Sequence, residues 1–70
     1  MSWQIVTSSE LHAIKYDDKT LVLEIHFRNG RMYRYTAVPE SIHRALLAAE
    51  SKGRFFNALI RDKYPYQRVV

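Results

Sequence analysis

Apolar and polar residues alternate from Leu21 to Arg28. Leu21, Leu23, Ile25 and Phe27 fall on one side, and Glu24, His26 and Arg28 on the other. A period of two predicts a strand with one face in a core. Asn29-Gly30 follows and supplies the positive φ that hairpin turns require. Arg31 to Val38 therefore reads as the returning strand. Upstream, Asp17-Asp18-Lys19-Thr20 is a turn of small polar and charged residues, preceded by a short strand around Ala13 to Tyr16. Ser8-Ser9-Glu10 reads as a helix cap or a turn, and Met1 to Val6 as an edge strand or a loose arm.

After Val38 the period changes. Pro39 opens a helix, where its missing N–H does no harm. Ile42, Ala45, Leu46 and Ala49 then recur at helical spacing and predict one apolar stripe. Lys52-Gly53 breaks or bends this helix. Ser51 can cap a second one, in which Phe55, Phe56, Leu59 and Ile60 share a face. Pro65 ends it, and Tyr66 to Val70 has room for a closing strand. The expected order is roughly β-β-β-α-α-β, a single α+β domain over residues 1–70 with antiparallel consecutive strands.

The hairpin allows two registers. A two-residue loop at Asn29-Gly30 sets Arg28 opposite Arg31 and Ile25 opposite Arg34. It places like charges in register and an arginine on the apolar face. A three-residue loop, Arg28-Asn29-Gly30, sets Glu24 opposite Arg34, Ile25 opposite Tyr33 and Leu23 opposite Tyr35. Favourable cross-strand pairs contribute roughly 0.2–1 kcal/mol each and like charges cost similarly. The second register is therefore expected. Because a one-residue slip reverses every side chain, it turns Tyr33 and Tyr35 toward the core and leaves the arginines near one end or on the outer face.

Composition narrows the class. A chain of 70 residues buries only roughly 60% of the surface its unfolded form exposes. There is no cysteine, so neither disulfides nor thiolate metal sites reinforce the fold, and this usage is compatible with a cytoplasmic protein. Hydrophobic residues make up 47% and aromatics 13%, values of a folded domain. Neither a signal peptide nor a membrane span is expected. Eleven basic residues face seven acidic ones for a net charge of +4, and such a field steers a protein toward polyanions.

Two stretches could hold an anion. Ser51, Lys52, Gly53 and Arg54 start a helix, where N–H groups, the helix dipole and two cations converge on a phosphate. An ordinary serine cap and a glycine bend explain the same residues. Arg54, Arg61, Lys63 and Arg68 gather charge toward the end of the chain, with Asp62 offsetting them. Arg54 and Arg61 are seven apart, two helical turns, and so share a face. Tyr64 and Tyr66 flank Pro65 beside these cations and are the aromatics best placed to stack on a base; anchoring the last strand is their alternative use.

Catalysis and metal binding find no support. His12, His26 and His43 have no metal-ligand spacing. Ser8, His26 and Asp17 form a triad only on paper, with no nucleophile elbow. Asp17 and Asp18 are turn formers. No enzyme, metal, cofactor or small-molecule substrate is expected. Phe55 and Phe56 are adjacent, so one enters the core and the other faces the sheet, the first helix or another subunit. With Trp3 and the terminal valines, Val69 and Val70, they suggest a homo-oligomer.

Read in order, the chain has a strand ending in Phe27, then Gly30, Tyr33-Arg34-Tyr35 and Val38-Pro39. Ser51-Lys52-Gly53-Arg54-Phe55-Phe56-Asn57, Ile60 and Tyr64-Pro65-Tyr66-Gln67-Arg68-Val69 follow. This pattern, from Ser8 to Val69, resembles the KTSC domain, a short bacterial module at the C-terminus of some lysyl-tRNA synthetases that also occurs alone. The resemblance implies a small, strongly bent antiparallel sheet, an Sm-like or SH3-like partial barrel, with a helical pair before the last strand. It also implies an accessory role on RNA, tRNA or single-stranded, and brings no catalytic residues. The expected phosphate contacts are Arg28, Arg31, Arg34, Lys52, Arg54, Arg61, Lys63 and Arg68. A protein-interaction or self-assembling module is the alternative.

Overall fold

The computed structural model describes residues 3–69. Among these the chain forms β1 (Gln4–Ile5), β2 (Leu11–Asp17), β3 (Val22–Phe27), β4 (Met32–Tyr35), α1 (Glu40–Ala48), α2 (Lys52–Leu59) and β5 (Tyr66–Arg68). The strands lie side by side in chain order as one antiparallel sheet. The sheet stays open, with β1 and β5 as its edges, and does not close into a barrel. The first strand completes an order that the sequence pattern left one strand short. Met1, Ser2 and Val70, expected in the terminal strands, lie outside the described residues.

The β3–β4 hairpin takes the three-residue loop. Glu24 pairs with Arg34, Ile25 with Tyr33 and Leu23 with Tyr35. The turn is closed by Gly30 N donating to Phe27 O at 3.0 Å and by Phe27 N donating to Arg31 O at 2.8 Å. Gly30 adopts φ of 91°, a conformation that costs a residue with a Cβ. The inner face is thus Leu11, Ile14, Tyr16, Leu23, Ile25 and Tyr35, all buried. A register shift between Leu11 and Ala13 marks a bulge in β2, which bends that strand.

The two helices cover this face, but their apolar stripes differ from the sequence expectation. In α1, Leu46 is fully buried and Ile42 and Leu47 pack against the core, while Ala45 is exposed. His43 belongs to the buried side, stacked on Tyr16 at 4.5 Å between ring centroids. In α2, Phe56 and Ile60 are buried and Phe55 packs beside them, whereas Leu59 is 45% exposed. Helix α2 spans eight residues and ends at Leu59, with Ile60 already off helical geometry. Ser51 caps α2, its Oγ accepting from Arg54 N at 3.3 Å.

Leu21 is a further correction. It sits at φ of 59° and is 40% exposed, so the strand begins at Val22. The preceding turn accounts for this: Asp17 Oδ1 accepts from Lys19 N at 2.9 Å and Thr20 N at 3.4 Å, and the chain re-enters the sheet through a left-handed residue. The carbonyl of Leu21 then accepts from Val38 N at 2.9 Å, while Tyr16 Oη donates to Val38 O at 2.6 Å. Val38 is held from both sides at the entry to α1.

These placements separate two leucines of similar sequence context. Leu46→Ala is expected to cost about 2–5 kcal/mol by opening a cavity. Leu59→Ala should cost about 0.5 kcal/mol or less, as for other exposed positions. Gly30→Ala should cost about 1–2 kcal/mol through the backbone alone, since a Cβ there meets no atom within 4 Å. Urea unfolding of the three variants checks all of this, and equal losses for the two leucines would contradict the helix orientation.

Candidate functional site

The last strand is short, yet its register builds a cleft. Tyr66 pairs with Tyr35, Gln67 with Arg34 and Arg68 with Tyr33. Alternation therefore puts Tyr66 and Arg68 on the inner side with Tyr33 and Tyr35. The rings form a continuous wall. Tyr66 lies 5.7 Å from Tyr33 and 5.6 Å from Tyr35, while Phe56 of α2 lies 5.5 Å from Tyr35 and 5.2 Å from Phe27. Such spacings are those of favourable aromatic pairs.

Phe56 of α2 packs on Tyr35 of β4. At the start of α2, a Cβ placed on Gly53 would lie 3.0 Å from Cδ and Oε1 of Glu10, and the Glu10 carbonyl accepts from Arg28 N at 2.9 Å. The hairpin turn, Glu10 and the first turn of α2 thus meet at one end. At the other end, the ionisation of Tyr35 feels Arg61 and Asp62. Burial, reinforced by Tyr33 and Tyr66, pushes the Tyr35 hydroxyl up to about 12.

Between α2 and the β4–β5 edge lies a cleft of about 310 Å³. Aromatic rings make its middle. Glu10, Asn29 and Arg31 line one end, and Asn57, Arg61 and Asp62 the other. Two carboxylates and two guanidiniums therefore balance to no net formal charge. A second hollow, about 470 Å³, lies over the outer face among Lys15, Asp17, Thr20, Val22, Glu24 and Arg34. Glu24 accepts there from Arg34 at 2.8 Å and from Lys15 at 3.2 Å, and Lys15 lies 5.0 Å above the Trp3 ring. Trp3 is half-buried by that contact and is not an open apolar surface.

The residues expected at phosphates are scattered. Arg31 and Arg61 reach the cleft. Arg34 is half-buried on the opposite face in its pair with Glu24. Arg28 Nε donates to the Ser8 carbonyl. Lys52 Nζ donates to Ala49 O at 3.1 Å, satisfying a carbonyl at the end of α1. Arg54 and Lys63 are exposed, and Arg68 lies on the edge strand beside Tyr33. Arg54 and Arg61 do not form one helical stripe, because α2 stops two residues before Arg61. At the Ser51–Arg54 helix start, the Glu10 carboxylate already stands against Gly53, where the dipole favours an anion. Tyr64 packs on the core, whereas Tyr66 is 58% exposed at the cleft.

Sequence reading missed Glu10, Asn57 and the pairing of Tyr66 with Tyr35. No local signal marks them, since the cleft exists only once β5 docks on β4. The candidates for catalysis are engaged otherwise. Ser8 Oγ accepts from Glu10 N and Leu11 N, each at 3.2 Å, and Asp17 holds its turn. His26 lies edge-on to His12 at 5.2 Å on the outer face.

These features define a small α+β domain with an open five-stranded antiparallel sheet, two covering helices and an aromatic cleft at one sheet edge. The chain belongs to the KTSC domain family, whose model matches residues 7–64. The crystal structure of a KTSC domain protein from Yersinia pestis is similar with a TM-score of 0.95 at 39% identity, covering 99% of this chain and 97% of that one. An uncharacterized protein of Stutzerimonas stutzeri is 43% identical over 63 residues, 89% of each chain. A lysine–tRNA ligase of Nostoc punctiforme is 36% identical over 61 residues, which are 87% of this chain and 11% of the ligase. None of these likenesses points to a catalytic family for this domain. Among the described residues no helix is long and apolar enough to cross a membrane.

Glu24 gives the outer face a defined pH response. Burial raises its carboxyl pKa, but hydrogen bonds from Arg34 and Lys15 outweigh this and hold it below the ordinary glutamate value. A depressed folded pKa stabilises the fold above the unfolded value, about 4.3, and that stability is lost as pH falls through the folded one. Glu24→Gln should cost about 1 kcal/mol at pH 7, with the gap to wild type closing below about pH 4. Thermal melts from pH 7 to pH 3 measure it; a gap that persists at pH 3 would contradict the ion-pair origin.

Proposed function

We propose that this domain is a non-catalytic, cytoplasmic accessory module that binds single-stranded RNA or an unpaired region of tRNA. The observation that carries the reading is the exposed Tyr66 ring, beside Tyr33, in a cleft flanked by Arg31 and Arg61. Single-strand binders combine aromatic platforms with cations that track the backbone, and stacking contributes roughly 1–3 kcal/mol per base. The similarity to a segment of lysine–tRNA ligases supports an RNA partner. An excess of positive charge, +4 overall, supports attraction to a polyanion.

The contacts rank by position. Arg31 and Arg61, at the cleft, should weaken binding when changed to alanine, by about tenfold each. Arg34→Ala should leave affinity within about twofold and instead destabilise the fold, because Arg34 holds Glu24. Binding to a labelled single-stranded RNA should fall linearly with salt on a log–log plot, with a slope near −0.7 for each phosphate neutralised. Fluorescence anisotropy at two salt concentrations decides it; absence of binding at low salt would sink the proposal.

A second reading is self-association on RNA in the manner of Sm-like assemblies, and the open sheet favours it. Ile5 is 67% exposed on β1 and Val69 42% exposed beyond β5, at the two edges where unpaired backbone invites another chain. A monomer in sedimentation at high concentration would remove it.

A further inference from the structure

The composition of the cleft says more than its aromatic wall. A bare phosphate entering it meets Glu10 and Asp62, and a cationic ligand meets Arg31 and Arg61. Like charges at both ends penalise either ion. The lining suits a flat, neutral ring whose edges carry both donors and acceptors. At about 310 Å³ the cleft is at the small end of ligand sites, roughly 300–1,000 Å³, sized for one planar group.

One end is better organised for reading an edge. The Glu10 carboxylate rests against Gly53, where the first turn of α2 favours its charge. The Glu10 backbone is tied to the hairpin through Arg28 N at 2.9 Å. Arg31 emerges from that hairpin, and the Asn29 side chain accepts from Arg31 N at 2.9 Å. A carboxylate and a guanidinium thus stand at the same end of a stacking surface made by Tyr33 and Tyr66, whose rings are 5.7 Å apart. A carboxylate only accepts, and a guanidinium only donates. Guanine offers adjacent N1–H and N2–H donors to the first, and its O6 and N7 acceptors to the second, the pairing arginine makes in nucleic-acid readout. Adenine and cytosine each present a single amino donor, and uracil a single imide donor.

We propose that the cleft is a seat for one unpaired guanine, stacked on Tyr66 with its donor edge on Glu10 and its acceptor edge toward Arg31. The seat rests on the RNA-binding reading and gives it a base preference, with Arg61 left to the adjoining phosphate.

Four heptanucleotide RNAs test it, each with three uridines on either side of a central U, A, C or G. Fluorescence anisotropy with the full chain should show the G oligomer binding about tenfold tighter than the other three, the scale of a good bidentate base contact. Glu10→Gln should erase that preference and bring the G oligomer level with the other three, because the glutamine amide turns a donor toward a guanine donor. Asp62→Asn should retain the preference. Tyr66→Ala, at an exposed position, should weaken all four oligomers about tenfold, and it keeps the test open if the Glu10 variant does not fold. Equal affinity for the four oligomers overturns the guanine seat and leaves the phosphate-binding reading intact. Preference for another base, or its loss in Asp62→Asn alone, overturns the assignment. Failure of every oligomer to bind removes both.

Discussion

Gly30 and the three-residue loop around it set the register on which the rest of the molecule is built. With Phe27 bonded to Arg31 and Gly30 to Phe27, β4 can only meet β3 with Tyr33 opposite Ile25 and Tyr35 opposite Leu23. A slip of one residue would turn Arg34 inward and both tyrosines out. That alternative buries a guanidinium on a face with no buried acid among the described residues, a cost of several kcal/mol by ordinary desolvation. The observed register instead gives Arg34 a carboxylate partner and the core an aromatic edge. Tyr35 then provides the surface on which Tyr66 docks, so the position of the last strand inherits the hairpin's choice.

Charge is committed to the fold more heavily than a residue count suggests. Arg34 and Lys15 share Glu24, Arg28 holds the Ser8 carbonyl, and Lys52 closes the end of α1. The Glu10 carboxylate stands beside Gly53 at the start of α2, so an external phosphate there would meet a like charge. A basic composition is therefore a weak guide to where a polyanion meets this domain. The useful distinction is between cations that hold protein groups across elements and those that stand at the cleft. Arg61 shows that the two overlap, since its guanidinium also donates to Asn57 at 3.4 Å within the local turn of chain.

Strands β2 to β5, both helices and the hairpin register were readable from the sequence because each rests on local periodicity or on pair energies that can be compared. The departures are local. Leu21 left its strand because the Asp17 turn needed a left-handed residue, while Leu59, in the last turn of α2, points away from the core. Ala45 is exposed because the buried side of α1 turns toward His43 and Leu47, with His43 stacked on Tyr16. The cleft was readable only in part. Tyr66, Arg31 and Arg61 stood out as residue types, but Glu10 became part of the site through a contact with Gly53, forty-three residues away. Asn57 joined them through packing of α2 on β4. Long-range juxtaposition of this kind has no signature in a single chain.

The two kinds of recognition available to the domain are physically separable. Attraction between a net positive protein and a phosphate backbone acts over about 10 Å and is screened by salt. Stacking and edge contacts in the cleft act at van der Waals distance and depend on shape. The neutral balance of Glu10 and Asp62 against Arg31 and Arg61 keeps these regimes apart, because the cleft itself contributes little to the long-range field. Salt should therefore weaken every RNA in similar proportion while leaving the ratio between two bases unchanged. A domain of this size can in that way hold on to a backbone loosely and still distinguish what is presented to its one aromatic edge.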